Sequence, residues 1–256
     1  MPAVELILPV YDEREQVPRV FAAVLAWAAE RPEALIRFVD DGSRDGTADA
    51  LEQALAAARE GAATREAAAR VRVERNAVNA GKGSVIRRAM VAAQAPIACF
   101  TDGDLAYSLD HVDRLVEALR GADVAIGSRA LGGRAERNIS LKRRAMGGAF
   151  NLAVRVLLGL PNRDTQAGIK GFRREAAHAI FGLSKVDDFA FDVEILYLAR
   201  VLGLRVTEVP AQVSAAHSYH GTSMDLLRDP LRMLRSVLRV RRLHRRLPRP
   251  AAAGAP

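Results

Sequence analysis

The chain has 256 residues, half of them apolar and 27% charged, with a formal net charge of +8. That is ordinary globular composition, long enough for one large domain or two small ones with a buried core. Its single cysteine, Cys99, excludes an internal disulfide and points to a reducing compartment, and no uninterrupted apolar run is long enough to cross a bilayer. The N-terminus "MPAVELILPVYDE" has no basic n-region, so no secretory leader is expected and the protein reads as soluble or peripheral. The basic excess favours an acidic partner, whether nucleic acid, an anionic membrane surface or a phosphorylated substrate; a solvated basic surface is the plainer alternative.

In chain order, "VELILPV" (Val4–Val10) predicts a buried strand, and the apolar spacing from Glu15 to Glu30 a helix. "LIRFVDDGS" is a second strand, Thr47 to Ala58 a helix and "VRVERN" a third strand. Ser84 to Ala93 is helical, "APIACFTDGD" is a fourth strand, Leu109 to Leu119 a helix and "ADVAIGSRA" a fifth strand. This alternation argues for an α/β fold with a mainly parallel sheet flanked by helices, in which ligands sit beyond the carboxyl ends of the strands. Four strand exits carry polar clusters: Asp12–Glu13, Asp40–Asp41, Asp102–Asp104 and Ser128–Arg129. Beyond Arg129 the pattern changes to a glycine-rich basic loop (Ala130–Gly148), a helix from Ala149 to Leu158, the stretch "NRDTQAGIKGFRREAA", a helix from Asp192 to Leu202 and the strand "LRVTEVPAQV".

Asp102 and Asp104 fall on the same side of an extended segment. Two carboxylates there repel each other unless a cation joins them, and oxygen-rich sites of this kind suit Mg²⁺ or Mn²⁺ together with phosphate oxygens. Gly103 between them allows close approach to the backbone. A D-x-D alone also fits a solvated acidic turn. In "FVDDGSRDGT", Asp45 and Thr47 are explained as helix caps, whereas the adjacent acids Asp40 and Asp41 are not. Gly81, Lys82 and Gly83 precede a helix and offer backbone N–H groups and an ammonium to an anion, without the spacing of a Walker A loop.

"LILPVYDE", "FVDDGSRDGT", "NAGKGSVIRRAM", "TDGDLAYS", "IGSRA", "DTQAGIKGF" and "FDVEILYLARVLGLRVTEVP" occur in the order typical of one family. Over about Val4 to Met233 the chain resembles family 2 glycosyltransferases with the GT-A fold, a Rossmann-like nucleotide-diphospho-sugar transferase architecture. Among these it is most similar to dolichyl- and polyprenyl-phosphate mannose or glucose synthases. The resemblance implies that Pro9, Tyr11 and Glu13 hold the nucleotide, that Asp40 and Asp41 contact base and ribose, and that Lys82 and Gly103 line the donor site. It implies that Asp102 and Asp104 bind Mg²⁺ or Mn²⁺ against the donor diphosphate. Arg129 and Arg143 would lie near the donor and acceptor phosphates, and Asp164, Gln166 and Lys170 beside the reacting centre. Asp164 is open to two roles, a base or a group that positions Lys170, Arg143 or the sugar. The sequence departs from the family pattern at Ala167 and Ile169, where Cys and Phe are usual, at Asp12 in place of Asn, and at Ala106 where some mannose synthases carry a glutamine.

Asp192 and Glu194 open a helix, which the helix dipole explains as well as proximity to a sugar does. His217 and His220 have metal-like spacing, although a polar loop accounts for them. At the C-terminus, Leu227, Leu231, Leu234 and Leu238 form one stripe and Arg228, Arg232, Arg235, Arg239, Arg242 and Arg246 its neighbour. This basic amphipathic helix fits an anionic membrane surface, or else packs its leucines on the domain.

The expected organisation is thus a catalytic domain at 1–223, the basic helix at 224–247 and a disordered tail at 248–256. The expected activity is inverting transfer of a hexose from UDP-glucose or GDP-mannose to a polyprenyl or dolichyl phosphate, by a peripheral protein at the cytoplasmic face of a membrane, with homo-oligomerisation open. A soluble acceptor is the alternative. A nucleic-acid-binding role is disfavoured by the 5% aromatic content and the absence of a standard binding motif.

Overall fold

All seven residues of β1 (Val4–Val10) are buried, as expected of a strand covered on both faces. The structure, a computed structural model, describes residues 3–132, 148, 151–152, 154–188, 190–214 and 237–247. After β1 come α1 (Val17–Ala29), β2 (Ala34–Asp40), α2 (Thr47–Glu60), the single turn α3 (Arg65–Ala68) and β3 (Val71–Arg75). Then follow α4 (Lys82–Ala92), β4 (Ile97–Phe100), α5 (Asp110–Ala118) and β5 (Val124–Ser128). The chain continues through β6 (Lys170–Arg173), α6 (Arg174–Leu183), α7 (Phe191–Val201) and β7 (Val206–Pro210). Residues 154–158 and 237–243 are also helical.

The seven strands form one sheet in the order β3-β2-β1-β4-β6-β5-β7. β1, β2, β3 and β4 are mutually parallel, and so are β5 and β7. β6 lies antiparallel between β4 and β5, with Lys170 level with Phe100 and Ile126. Its first residue therefore sits at the end of the sheet where β4 and β5 finish. The chain reaches β6 from that end, so residues 164–169 are delivered to the strand exits.

Alternation along the strands feeds two cores. Val4, Leu6, Leu8 and Val10 of β1 join one cluster with α1, α2 and α5. Ile7 joins the other, with α4, α6, α7 and the helical residues Val154, Leu158, Val237 and Val240. In this second core Phe100 stacks on Phe172 at 6.1 Å and tilts against Phe191 at 5.9 Å.

The first five expected strands are present. β6 and α6 are additional, lying in a stretch where periodicity marked no element. The C-terminal segment differs in its buried face. Val237 and Val240 are buried, whereas Leu238, the last member of the expected leucine stripe, is 51% exposed on the side of Arg239, Arg241 and Arg242. Neighbouring positions on a helix point about 100° apart, so over residues 237–243 Leu238 lies off the face that docks through Val237 and Val240. Leu227, Leu231, Leu234, Arg228, Arg232 and Arg235 lie outside the described residues, as do Arg143, His217, His220 and the 248–256 tail.

Candidate active site

The carboxyl ends of β1, β2, β4 and β5 converge on one cluster of polar groups. Asp40, the last residue of β2, is buried, and its Oδ2 accepts from the N–H groups of Gly42 (3.2 Å) and Ser43 (3.1 Å). Its Oδ1 is buried with no hydrogen-bond partner. Asp40 lines a cavity of about 380 Å³ with Ser43, Arg44, Asn76 and Val78. Its neighbour Asp41 is used differently. Oδ1 accepts from Asn76 Nδ2 and the Ala80 N–H, both at 2.9 Å, and Oδ2 from the Gly81 N–H at 2.8 Å. Asp41 thus pins the 76–81 loop, and of the two acids only Asp40 keeps an unpartnered buried oxygen. Gly42 could not be otherwise: φ is +75°, and a Cβ would stand 2.7 Å from the Val78 carbonyl carbon.

That loop presents Lys82 at the start of α4, where its ammonium pairs with Asp102 Oδ1. Asp102 and Asp104 follow β4. Asp104 Oδ1 accepts from the Ala106 N–H at 3.0 Å, and the Asp104 carbonyl accepts from Arg19 Nη2 at 2.6 Å. Ala106 is packed in the core. Gly103 presses on the end of β1: a Cβ there would lie 2.5 Å from the Pro9 carbonyl oxygen and 2.9 Å from Glu13 Oε2. Glu13 is therefore the third carboxylate at this spot. Burial, then the charges of Asp104 and Asp102, push its carboxyl up to about 8, with Lys82 pulling the other way. Glu13 Oε2 is buried without a hydrogen-bond partner. Among the described residues no group of three or more His, Cys, Asp or Glu is placed to hold a metal ion by itself. Asp12 Oδ1 accepts from the Arg44 N–H (2.8 Å), tying the β1 exit to the loop after β2, and Tyr11 is 43% exposed.

Arg129, one residue past β5, grips Asp164. Nε meets Oδ2 at 2.8 Å, Nη2 meets Oδ1 at 3.0 Å, and the backbone N–H also donates to Oδ2 at 3.0 Å. Burial raises the Asp164 carboxyl, but the Arg129 hydrogen bonds and charge more than offset it and hold it below the usual carboxylate range. Asp164 Oδ1 also accepts from the Gln166 N–H at 3.2 Å. Glu208 of β7, which sequence reasoning did not single out, accepts from the Arg163 and Asp164 N–H groups at 3.0–3.1 Å and fixes this turn. Its only signal was a lone acid in a short strand.

Lys170 is completely buried. Its ammonium donates to the Ala167 carbonyl and Asp192 Oδ1 and lies 5.6 Å from the centre of the Phe100 ring. Glu194, also from the first turn of α7, is turned away from that pair. Its carboxylate accepts from the Lys185 and Val186 N–H groups and stands 2.6 Å from His244 Nε2.

The 164–170 segment and the D-x-D meet at Gly168. A Cβ on Gly168 would stand 1.9 Å from Asp102 Oδ2 and 2.6 Å from its Cγ. Gly168→Ala must therefore rotate the Asp102 carboxylate. Displacements of about 1 Å in a reacting constellation cost roughly 10²-fold. On the metal-binding role that the sequence leads one to expect of Asp102, a loss of turnover of about that size is expected, with a weakened apparent metal affinity and a melting temperature close to that of the parent. Steady-state kinetics over a Mn²⁺ series and a thermal melt check both.

The sequence matches the model of Glycosyl transferase family 2 over residues 5–181. Dolichyl-phosphate beta-glucosyltransferase of Drosophila melanogaster is 34% identical over 81% of this chain, and the chain spans 66% of that protein's length. Polyprenol monophosphomannose synthase of Mycolicibacterium smegmatis is 33% identical over 80% of this chain and 75% of its own. Among solved structures, glucosyl-3-phosphoglycerate synthase of Mycobacterium tuberculosis, crystallised with Mn²⁺, UDP and glucosyl-3-phosphoglycerate, superposes with a TM-score of 0.62 at 19% identity. That superposition covers 96% of this chain and 80% of the other.

Proposed function

Because this chain belongs to glycosyl transferase family 2 and has its GT-A fold, we propose that it transfers a hexose from a nucleotide-diphospho-sugar to a polyprenyl or dolichyl phosphate, with inversion at the anomeric carbon. The observation that carries this reading is the meeting, at the exits of β1 and β4, of the Asp102–Lys82 pair, Asp104 and the Glu13 carboxylate, whose buried Oε2 faces Gly103. Two carboxylates two residues apart at a strand exit, with the buried Glu13 Oε2 left without a partner beside Gly103, fit a divalent cation that also takes donor oxygens. Asp102 and Asp104 would hold Mg²⁺ or Mn²⁺. When bound, such an ion neutralises the charge that develops on a diphosphate leaving group.

The chain's own residues are assigned as follows. Asp40 Oδ1 is an acceptor for an N–H or hydroxyl of the nucleoside. Asp41 and Lys82 shape the loop beneath the donor. Arg129 meets phosphate, oriented by the carboxylate of Asp164. A phosphate monoester is already an anionic nucleophile at neutral pH, and it needs orientation more than a base. The lowered Asp164 carboxyl, with both oxygens engaged by Arg129, supports positioning over proton abstraction. Arg143 and Gln166 are kept as acceptor-side candidates on the strength of the family pattern. The names of the fly and mycobacterial relatives support a lipid phosphate acceptor with glucose or mannose as the sugar.

No helix among the described residues is long and apolar enough to cross a membrane. Exposed Leu238 among exposed arginines supports peripheral contact with an anionic membrane, at its cytoplasmic face. Purified protein offered UDP- and GDP-sugars with Mg²⁺ or Mn²⁺ should release nucleoside diphosphate when a polyprenyl phosphate in detergent is added. Release with 3-phosphoglycerate instead would replace the lipid by a soluble acceptor, and silence with every donor and acceptor would overturn the assignment.

A further inference from the structure

The C-terminal segment reaches the active site through a relay of hydrogen bonds. His244 is buried, and its Nε2 lies 2.6 Å from Glu194 Oε1. Glu194 is itself fully buried and spends its other bonds on the Lys185 and Val186 N–H groups, at 2.9–3.1 Å. The next residue, Asp187, accepts the Gly83 N–H at 3.0 Å through its carbonyl and binds Arg87 Nη2 at 2.7 Å through its carboxylate. The fit is close. A Cβ on Gly81 would stand 2.6 Å from the Asp187 carbonyl oxygen, and one on Gly83 would stand 2.5 Å from that of Val186. Between these glycines sits Lys82, paired with Asp102. Segment 185–187 is thus the floor of the Lys82 loop, and Glu194 is what holds the floor in place.

A fully buried carboxylate that anchors two backbone N–H groups has acceptor capacity left over, and His244 fills it at Oε1, the oxygen that shares the Lys185 N–H, so that both oxygens are held in one orientation. His244 supplies the only side chain seen on Glu194 among the described residues, while Val237 and Val240 lock the segment that carries it into the core. Tyr197, whose ring centre is 6.3 Å from that of His244, packs beside it. We propose that His244 is a positioning residue for the donor site: it orients Glu194, which fixes 185–187, which seats Gly81, Lys82 and Gly83 against the D-x-D. The C-terminal segment then belongs to the catalytic machinery, whatever surface its arginines meet. The link to donor binding rests on the function proposed above; the relay itself does not.

Amide hydrogen exchange on the full chain decides it. In His244→Leu, which keeps bulk but loses the donor, the Lys185 and Val186 N–H groups should exchange about tenfold faster, as expected for loss of one hydrogen bond to a charged group. Gly83 should follow, while Leu6 and Leu8 of β1 stay protected. His244→Gln retains an N–H donor and should restore protection at all three. His244→Asn, too short to reach Oε1, replaces the leucine variant should that one not fold. Unchanged exchange at Lys185 and Val186, or faster exchange there that stops short of Gly83, overturns the proposal. So does loosening that spreads equally to β1, which marks a general loss of packing. A second arm measures UDP and GDP binding with Mn²⁺, where affinity should fall several-fold in His244→Leu and recover in His244→Gln. Failure of the parent to bind either nucleotide would count against the proposed function and leave the exchange pattern as the judge of the relay.

Discussion

Asp104→Ala is expected to reduce sugar transfer by about 10²- to 10³-fold while leaving the chain folded. A carboxylate that holds a charge-neutralising ion acts in the transition state, where removing one stabilising group is typically worth 10²–10³. Its structural cost is small by comparison. Asp104 Oδ1 accepts the Ala106 N–H, and such a bond contributes only about 1 kcal/mol net. Asp104→Asn keeps an acceptor for Ala106 and removes the charge, so it separates the two effects. It should be nearly as inactive as the alanine variant and melt like the parent. Turnover at saturating Mn²⁺ with a thermal melt on each variant is the measurement, and full activity in the asparagine variant would sink the assignment of a cation to this pair.

Lys170→Met has the largest expected effect on stability. Lys170 is wholly buried and Asp192 nearly so, and the two form an ion pair. Removing one partner leaves a carboxylate without compensation in a dry site, which costs about 3–5 kcal/mol. Lys170→Met combined with Asp192→Leu removes both charges and should regain most of that loss, because a buried pair replaced by apolar groups of similar volume is often close to neutral. Urea unfolding of the single and double variants tests this. If the single variant kept parental stability and lost only turnover, Lys170 would be acting on substrate instead of beneath it.

Much of the site could be read from residue order. A short apolar run that ends in acids marks a strand exit, and that rule found Asp40, Asp41, Asp102 and Asp104 at the ends of two of the strands that build the site. It could not divide labour between Asp40 and Asp41, because the partners of Asp41 lie about 40 residues away in a loop whose path only tertiary structure sets. β6 escaped because four residues, with only Phe172 strongly apolar, carry no periodicity, and the strand exists through ladders on both sides. The docked residues Val237, Val240 and His244 gave no signal of their own beside the leucine stripe, because four leucines are a stronger pattern than two valines and a histidine. The pairing of His244 with Glu194 spans 50 residues and leaves no local trace.

The antiparallel entry of β6 has a consequence for what length of chain this fold can tolerate. Five residues separate Asp164 from Lys170. The first is clamped by Arg129 and Glu208, the last by Asp192 and by its place opposite Phe100 and Ile126. These five residues act as a ruler between two fixed points, with Gly168 at the mark where it touches Asp102. A strand slipped by one residue turns every side chain to the opposite face, so an added or deleted residue would swing Lys170 into the other core and Phe172 out of its own. Changes of substrate range in this scaffold are therefore to be sought through side chains along the ruler, at Thr165, Gln166 and Ala167, and not through its length.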